Sequence, residues 1–246
     1  MNFFSSGWLG KLLGDKAPPD IRARMALWRI LKRAHLKISL DNADFFVVDT
    51  ETTGLDPSVD RLVSVGAVPV RQERIILGST FHGILRQPYN GTLENILLHG
   101  ITPGQQARGQ EPVYLLMDFL ELVGKAPLVA YHAPFDRHFL NRALRKFVGV
   151  GLVNPMLDLA FLLPALFPQG EKTPRKADEG LDGWVKRFGL TVINRHSAEE
   201  DALVTAELFL IALAQAKKQG VQTVRALFDM AKNEYRLNPP RGHRRW

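Results

Sequence analysis

The chain has 246 residues, of which 46% are hydrophobic and 23% charged, a mixture typical of a folded globular protein rather than a disordered one. It contains no cysteine, which excludes disulfides, zinc fingers and thiol catalysis and fits a reducing cytoplasm, the location that we expect. Its formal charge of +7 favours polyanionic partners, because contacts with phosphate groups release counterions.

Residues 1–40 are expected to form a basic amphipathic helical extension. Apolar residues recur there at helical spacing with basic residues between them, namely Ile21, Met25, Trp28 and Leu31. The pattern favours a helix packed on the main domain over one that lies on a membrane, a partner or nucleic acid. We expect no signal peptide, and no apolar stretch is long enough to span a bilayer.

Residues 41–217 are expected to form one α/β domain, followed by a short helix and a basic tail at 218–246. Strands are predicted at 45–50, 61–70, 74–85 and 127–131. Helices are predicted at 93–98, 112–123, 134–147, 156–167, 183–188 and 197–217, and a charged loop at 168–180. Strands that give way to mixed strands and helices predict a mixed β-sheet flanked by α-helices.

Two acids stand where the first strand ends. Asp49 and Glu51 follow the apolar run from Phe45 to Val48. Side chains alternate along a strand, so residues two apart point to the same face. Two carboxylates this close repel each other unless a cation lies between them or one is protonated. A pair of solvated carboxylates in a loop is an equally good interpretation of these two residues alone.

A third acid, Asp136, falls in the first turn of a predicted helix. Its neighbours on the same helix face are Phe139, Leu140 and Ala143, which are apolar. A first-turn acid is stabilised by the helix dipole, but that does not explain its place on the apolar face. Asp136 is therefore expected to point inward or to the edge of a cleft.

The stretch His196–Asp201 adds another acid and a histidine. Ser197 and Glu200 have the spacing of a capping box, which predicts a helix that begins at Ala198. Asp201 then lies near the end of the first turn, on a stripe of apolar and small residues. His196 lies in the preceding loop, where it is free to reach the same cleft.

Four carboxylates without cysteine suit Mg²⁺ or Mn²⁺ better than zinc. Two such ions about 4 Å apart can clamp the attacking and leaving oxygens of a phosphodiester. A histidine with a pKa of about 6.5 can take a proton from the attacking water near neutral pH. The residues together therefore predict a metal-dependent hydrolase.

Three segments, DTETTG at 49–54, AYHAPFD at 130–136 and HSAEEDA at 196–202, resemble the exonuclease motifs of the DnaQ-like (DEDDh) 3′–5′ exonucleases. The proofreading epsilon subunit of bacterial DNA polymerase III is the best-known member of this family. The resemblance runs in order from about Phe45 to Ala214. The segment HGIT at 99–102 also resembles the family.

The resemblance implies a ribonuclease H-like fold and a catalytic set of His196, Asp49, Glu51, Asp136 and Asp201. Asp49 would bridge two ions of Mg²⁺ or Mn²⁺. Glu51 and Asp201 would help to hold the ion on the nucleophile side, and Asp136 would act on the other mainly through bound water. His196 would be the general base.

The resemblance also implies a site for the terminal nucleotide, formed by Thr52, Thr53, Gly54, Leu55 and Phe135. Base packing and core filling are equally good interpretations of Phe135. Tyr131-His132 stands where the family usually has His-Asn, so this strand end departs from the family pattern. A structural hydrogen bond is the expected role of His132.

The leading hypothesis is a metal-dependent 3′–5′ exonuclease that degrades single-stranded DNA to nucleoside 5′-monophosphates in proofreading or repair. A 3′–5′ exoribonuclease and a non-catalytic scaffold for nucleic acid or a polymerase are the alternatives. The expected partners are single-stranded DNA or RNA 3′ ends and a DNA polymerase. No polymerase-binding domain is recognised after the nuclease core, which favours a free-standing exonuclease over a dedicated replicative subunit.

Overall fold

The computed structural model describes residues 17–56, 58–88, 91–168, 180–192 and 197–239. Most of the predicted charged loop at 168–180 lies outside these residues, as do the start of the N-terminal extension and most of the basic tail. None of the helices in the described part of the chain combines the length and apolar surface that crossing a bilayer requires.

The described residues contain one six-stranded sheet. Its strands are β1 (Asp44–Thr52), β2 (Leu62–Arg71), β3 (Arg74–Ile75), β4 (Phe81–Ile84), β5 (Leu128–Ala130) and β6 (Met156–Asp158). The strand order is β3-β2-β1-β5-β6, and β4 pairs with β2 further along the same edge as β3. β1 is antiparallel to β2 and parallel to β5, so the predicted mixed sheet is confirmed.

Helices cover both faces of this sheet. They are α1 (Pro19–Ile30), α2 (Leu93–His99), α3 (Pro103–Ala107), α4 (Pro112–Val123), α5 (Ala133–Phe147), α6 (Leu159–Leu166), α7 (Gly180–Phe188), α8 (Ala198–Lys218) and α9 (Val224–Leu237). α6, α8 and α9 contribute to the core on one face, and α1, α4 and α5 to the core on the other.

Strand β1 separates the two cores through the alternation of its side chains. Phe45 packs edge-on against Phe209 of α8, with ring centroids 4.9 Å apart. Phe46 and Val48 belong to the opposite core, which contains residues of α4 and α5. Because alternate residues of a strand point to opposite faces, the odd-numbered positions of β1 face α8 and the even-numbered positions face α5.

Two of the predicted elements are wrong in part. The single strand expected over 74–85 is two strands, because a 3₁₀ turn at Leu77–Ser79 interrupts it. The helix expected over 156–167 begins at Leu159, because residues 156–158 pair with β5 as strand β6. Asp158 ends that strand and accepts a hydrogen bond from the amide of Ala160 at 3.0 Å, so it caps the helix that follows.

Helix α1 packs on the domain through α4. Its residues Ile21, Met25 and Trp28 are buried, and the Trp28 indole donates a hydrogen bond to the carbonyl of Gly124 at 3.2 Å. Leu31, the last residue of the predicted stripe, lies just after the helix and is 46% exposed. These contacts favour a packed helix over one held by a membrane or a partner.

Candidate active site

Asp49 and Glu51 lie near the end of β1, on the face that α8 covers. Asp49 pairs across the sheet with Gly66 of β2, and Glu51 with Ser64. The strand continues through Glu51, and its register shifts immediately afterwards, between Glu51 and Thr52. The two carboxylates therefore leave the same face of a regular strand, next to the point where the chain turns away.

Asp201 reaches the same place from the first turn of α8. It is buried, and its carboxylate, with those of Asp49 and Glu51, offers oxygen atoms that all lie within 4.8 Å of one another. Val204, Thr205 and Leu208 continue its helix face and are also buried. The structure thus brings together three of the four predicted carboxylates in what we call the carboxylate cluster, Asp49, Glu51 and Asp201.

The predicted capping box at the start of α8 is wrong. Ser197 is the residue before the helix, as expected, but its hydroxyl accepts no hydrogen bond from the first turn. The Ser197 carbonyl instead accepts the amide of Asp201 at 2.8 Å. The acids Glu199, Glu200 and Asp201 all lie in that turn, where the helix dipole favours negative charge.

Asp136 lies beside the cluster but on the other side of β1. It is 3% exposed, and its Oδ1 accepts a hydrogen bond from the hydroxyl of Thr50 at 2.8 Å. The pKa of Asp136 is raised to about 8, chiefly by burial and to a smaller extent by the charges of Asp158 and Glu51, whereas the Thr50 hydrogen bond and one from its own backbone amide oppose the rise. Thr50 therefore connects the fourth carboxylate to the strand that carries the first two.

A left-handed turn at His132 precedes the helix that carries Asp136. His132 has φ 64° and ψ 46°, a conformation that non-glycine residues adopt infrequently. The carboxylate of Asp158 accepts the amide of His132 at 3.0 Å as well as that of Ala160. Burial raises the pKa of Asp158 to about 6, and its backbone hydrogen bonds oppose that rise. Asp158 thus stabilises the starts of α5 and α6 together.

Asp158 was missed in the sequence, although a signal for it exists. It follows the apolar residues Met156 and Leu157, as Asp49 follows the apolar run of β1. The expectation of a helix over 156–167 placed this acid inside the first turn of a helix, so its position at the end of a strand was not recognised.

The predicted nucleotide-binding residues 52–55 form a turn that Asp60 stabilises. The Thr53 hydroxyl donates to Asp60 Oδ1 at 2.8 Å, and the Thr52 hydroxyl donates to the Gly54 carbonyl at 2.7 Å. A Cβ atom on Gly54 would lie 2.5 Å from Asp60 Oδ2, so a side chain there would displace the Asp60 carboxylate that holds the turn. Leu55 is 74% exposed at the tip of the turn.

Two further contacts involve the predicted nucleotide-binding residues. The side-chain amide of Asn95 in α2 donates a hydrogen bond to the carbonyl of Thr53. Phe135 is half-buried, and its ring centroid lies 4.8 Å from that of Phe139. One part of Phe135 therefore fills the core, while another part stays accessible beside the start of α5.

His196, the predicted general base, lies in the segment 193–196, outside the described residues. In the chain it immediately precedes Ser197 and stands five residues before Asp201. Its predicted role rests on the sequence.

The sheet is mixed, carries helices on both faces and gathers three carboxylates where its central strand ends. This arrangement is typical of a nuclease domain. The model of the exonuclease family matches residues 46–209, which contain the whole carboxylate cluster. The chain therefore belongs to the exonuclease family, and its resemblance to the DnaQ-like 3′–5′ exonucleases is confirmed.

Two proteins of known identity are similar to this chain. The chain is 31% identical over 172 residues to the DNA polymerase III subunit epsilon of Rickettsia conorii. The aligned region covers 67% of this chain and 71% of that protein. It is 29% identical over 192 residues to the DNA polymerase III PolC-type of Thermotoga petrophila, covering 78% of this chain but only 13% of that protein.

A solved structure confirms the fold. Escherichia coli exonuclease I in complex with a dA16 oligonucleotide aligns with a TM-score of 0.62 and 21% identity, covering 76% of this chain and 42% of that one. The predicted ribonuclease H-like fold is thereby confirmed.

Proposed function

We propose that the protein is a metal-dependent 3′–5′ exonuclease that hydrolyses single-stranded DNA from its 3′ end and releases nucleoside 5′-monophosphates. The observation that carries the proposal is the carboxylate cluster, whose oxygens from β1 and α8 lie within 4.8 Å of one another. Membership of the exonuclease family supports the same reaction.

The residues present fit a divalent cation. Three carboxylates this close repel one another, and a cation between them offsets that repulsion. All the donors are hard oxygen atoms, which suit Mg²⁺ or Mn²⁺. Asp49, Glu51 and Asp201 would hold the cation directly, and Asp136 would assist a second ion through water. When bound, such ions supply Lewis-acid activation of water and charge neutralisation at the phosphate.

His196 is proposed as the general base. An imidazole near its ordinary pKa of about 6.5 accepts a proton at neutral pH. The residue stands in the chain next to Ser197, which precedes α8, and α8 carries Asp201. The same short segment would therefore supply one metal ligand and the proton acceptor.

The turn at 52–55 is proposed to hold the terminal nucleotide. Exposed Leu55 and the accessible part of Phe135 offer apolar surface on which an unpaired base can pack. Contacts of Thr53 with Asp60 and Asn95 fix the shape of the turn before substrate binds. Packing of this kind requires a base that is free of its partner strand, which favours single-stranded ends.

The identity of these relatives supports a DNA polymerase as a partner. Both are DNA polymerase III proteins, and the solved neighbour is bound to a DNA oligonucleotide. We therefore extend the proposal to a cytoplasmic role in proofreading or repair, carried out with a polymerase or on free DNA ends.

Oligonucleotides of matched sequence, one DNA and one RNA, each labelled at the 5′ end, test the proposal. With Mg²⁺ or Mn²⁺, the DNA should shorten stepwise from its 3′ end while nucleoside 5′-monophosphates appear. Asp49→Asn should abolish this, whereas Asp229→Asn, an exposed acid of α9, should not. Degradation of RNA alone would replace DNA by RNA as the substrate, and intact strands of both kinds would refute the proposal.

A further inference from the structure

Gly66 lies at the centre of a row of residues that crosses the sheet beneath the start of α8. It pairs with Asp49 on β1 and with His82 on β4. Residues directly paired on neighbouring strands point to the same face of a sheet. All three positions therefore belong to the face on which the carboxylate cluster is built.

The first residues of α8 rest directly on Gly66. A Cβ atom at this position would lie 2.1 Å from the carbonyl oxygen of Ala198, 2.5 Å from its carbonyl carbon and 2.8 Å from the amide nitrogen of Glu199. These are backbone atoms, so no rotation of a side chain can relieve the overlap. Only a residue without a side chain allows the helix to begin this close to the sheet.

The neighbouring strand contacts the same turn. Nδ1 of His82 lies 4.0 Å from a carboxylate oxygen of Glu199, two residues before Asp201. The first turn of α8 thus lies across the row, with Ala198 over Gly66, Glu199 beside His82, and Asp201 against Asp49 and Glu51.

We propose that Gly66 is a positioning residue of the carboxylate cluster, which lets the start of α8 approach the sheet closely enough for Asp201 to share a cation with Asp49 and Glu51. The inference rests on the proposed metal-dependent function. A methyl group 2.1 Å from the Ala198 carbonyl must move to beyond 3.0 Å, a displacement of roughly 1 Å. A shift of this size at a site of fixed geometry costs about 100-fold in rate.

Calorimetric titration of the purified protein with Mn²⁺ tests the inference. Gly66→Ala should bind Mn²⁺ at least about 10-fold more weakly than the unchanged protein, as expected when the support of a metal ligand is altered. Gly78→Ala is the matched control, because apart from the adjoining backbone no heavy atom of the described residues lies within 4 Å of its added Cβ. Its affinity should not change.

The outcomes separate the two proposals. If the unchanged protein binds no Mn²⁺, the proposed function fails. If it binds Mn²⁺ and folded Gly66→Ala binds it equally well, only the role of Gly66 is overturned, and the glycine serves packing alone. If Gly66→Ala does not fold, His82→Ala decides: weaker Mn²⁺ binding supports the positioning of α8 by this row, and unchanged binding overturns it.

Discussion

Thr50 donates a hydrogen bond to Asp136 over 2.8 Å, from the face of β1 opposite to that of Asp49 and Glu51. Asp136 therefore contacts β1 from the face opposite to the one that carries the other two acids. Asp136 is not one of the three clustered acids; the hydrogen bond from Thr50 connects it to the strand that carries two of them.

Thr50→Val tests this relationship. The hydrogen bond lowers the pKa of Asp136, so its loss should raise that pKa further above about 8. If catalysis requires ionised Asp136, the acidic limb of the pH–rate profile at limiting Mg²⁺ should move to higher pH. Thr80→Val, a substitution outside the site, should leave the profile unchanged. Identical profiles for the two variants would show that Thr50 does not act on Asp136.

Asp136 should make the cation-free protein less stable as pH rises. Its pKa is raised by burial from 3.8 to about 8, so between these values the folded state keeps a proton that the unfolded state has lost. The contribution of Asp136 to stability is therefore fully present below about pH 4, falls as pH rises to about 8 and is then level. Asp158, with its pKa raised to about 6, adds to the fall over the lower part of this range.

Asp136→Asn should flatten that dependence. At pH 8 the variant should be more stable than the unchanged protein by several kcal/mol, since each tenfold change in proton affinity corresponds to about 1.4 kcal/mol. Urea denaturation between pH 4 and 9 with a chelator present measures the difference. Parallel stability curves for the two proteins would contradict the raised pKa of Asp136.

Asp158→Ala should reduce both stability and activity. It leaves the amides of His132 and Ala160 without their acceptor, at a cost of about 1–3 kcal/mol in the free energy of unfolding. It also releases the left-handed turn that precedes the helix of Asp136, so kcat should fall.

Thr223→Ala is the matched control, because Thr223 caps α9 through the amide of Ala226, on a helix that carries no site residue. That variant should lose about 1 kcal/mol of stability with kcat unchanged. If the two variants lose the same stability and have the same kcat, Asp158 acts only as a helix cap.

Trp28→Ala tests whether α1 belongs to the folded domain. Trp28 is buried against α4, so its truncation should lower the free energy of unfolding by about 3–5 kcal/mol. Leu27→Ala, at a neighbouring position that is 66% exposed, should change it by less than about 0.5 kcal/mol. Equal, small effects of the two substitutions in chemical denaturation would show that α1 is detached in solution.

The periodicity of the sequence was sufficient to place the acids on their elements. Alternation along β1 predicted that Asp49 and Glu51 share a face, and the helical stripe after Asp201 predicted that this acid points inward. That Asp136 approaches from the other face follows from the packing of α5 and α8 on opposite sides of the sheet. Such an arrangement depends on topology, to which local periodicity is insensitive.

Short elements and backbone contacts were the parts that could not be predicted. Strand β6 has three residues, too few to show alternation, and its identity comes from pairing with β5. In the sequence, Gly66 is simply a glycine inside a predicted strand, a residue that generally weakens a strand because it has no side chain to pack. Its importance comes from a helix whose start lies far along the chain, which only the folded structure reveals.

Asp201→Asn is the sharpest test of whether the carboxylate cluster is the metal-dependent centre of a 3′–5′ exonuclease. The substitution keeps the size of the side chain and removes one charge from the cluster. Initial rates of 3′-end degradation of single-stranded DNA should be measured across a Mg²⁺ titration for both proteins. We expect cation-dependent cleavage that falls about 1,000-fold or more in the variant. Equal rates of the two proteins at every Mg²⁺ concentration would show that the cluster is not the catalytic centre.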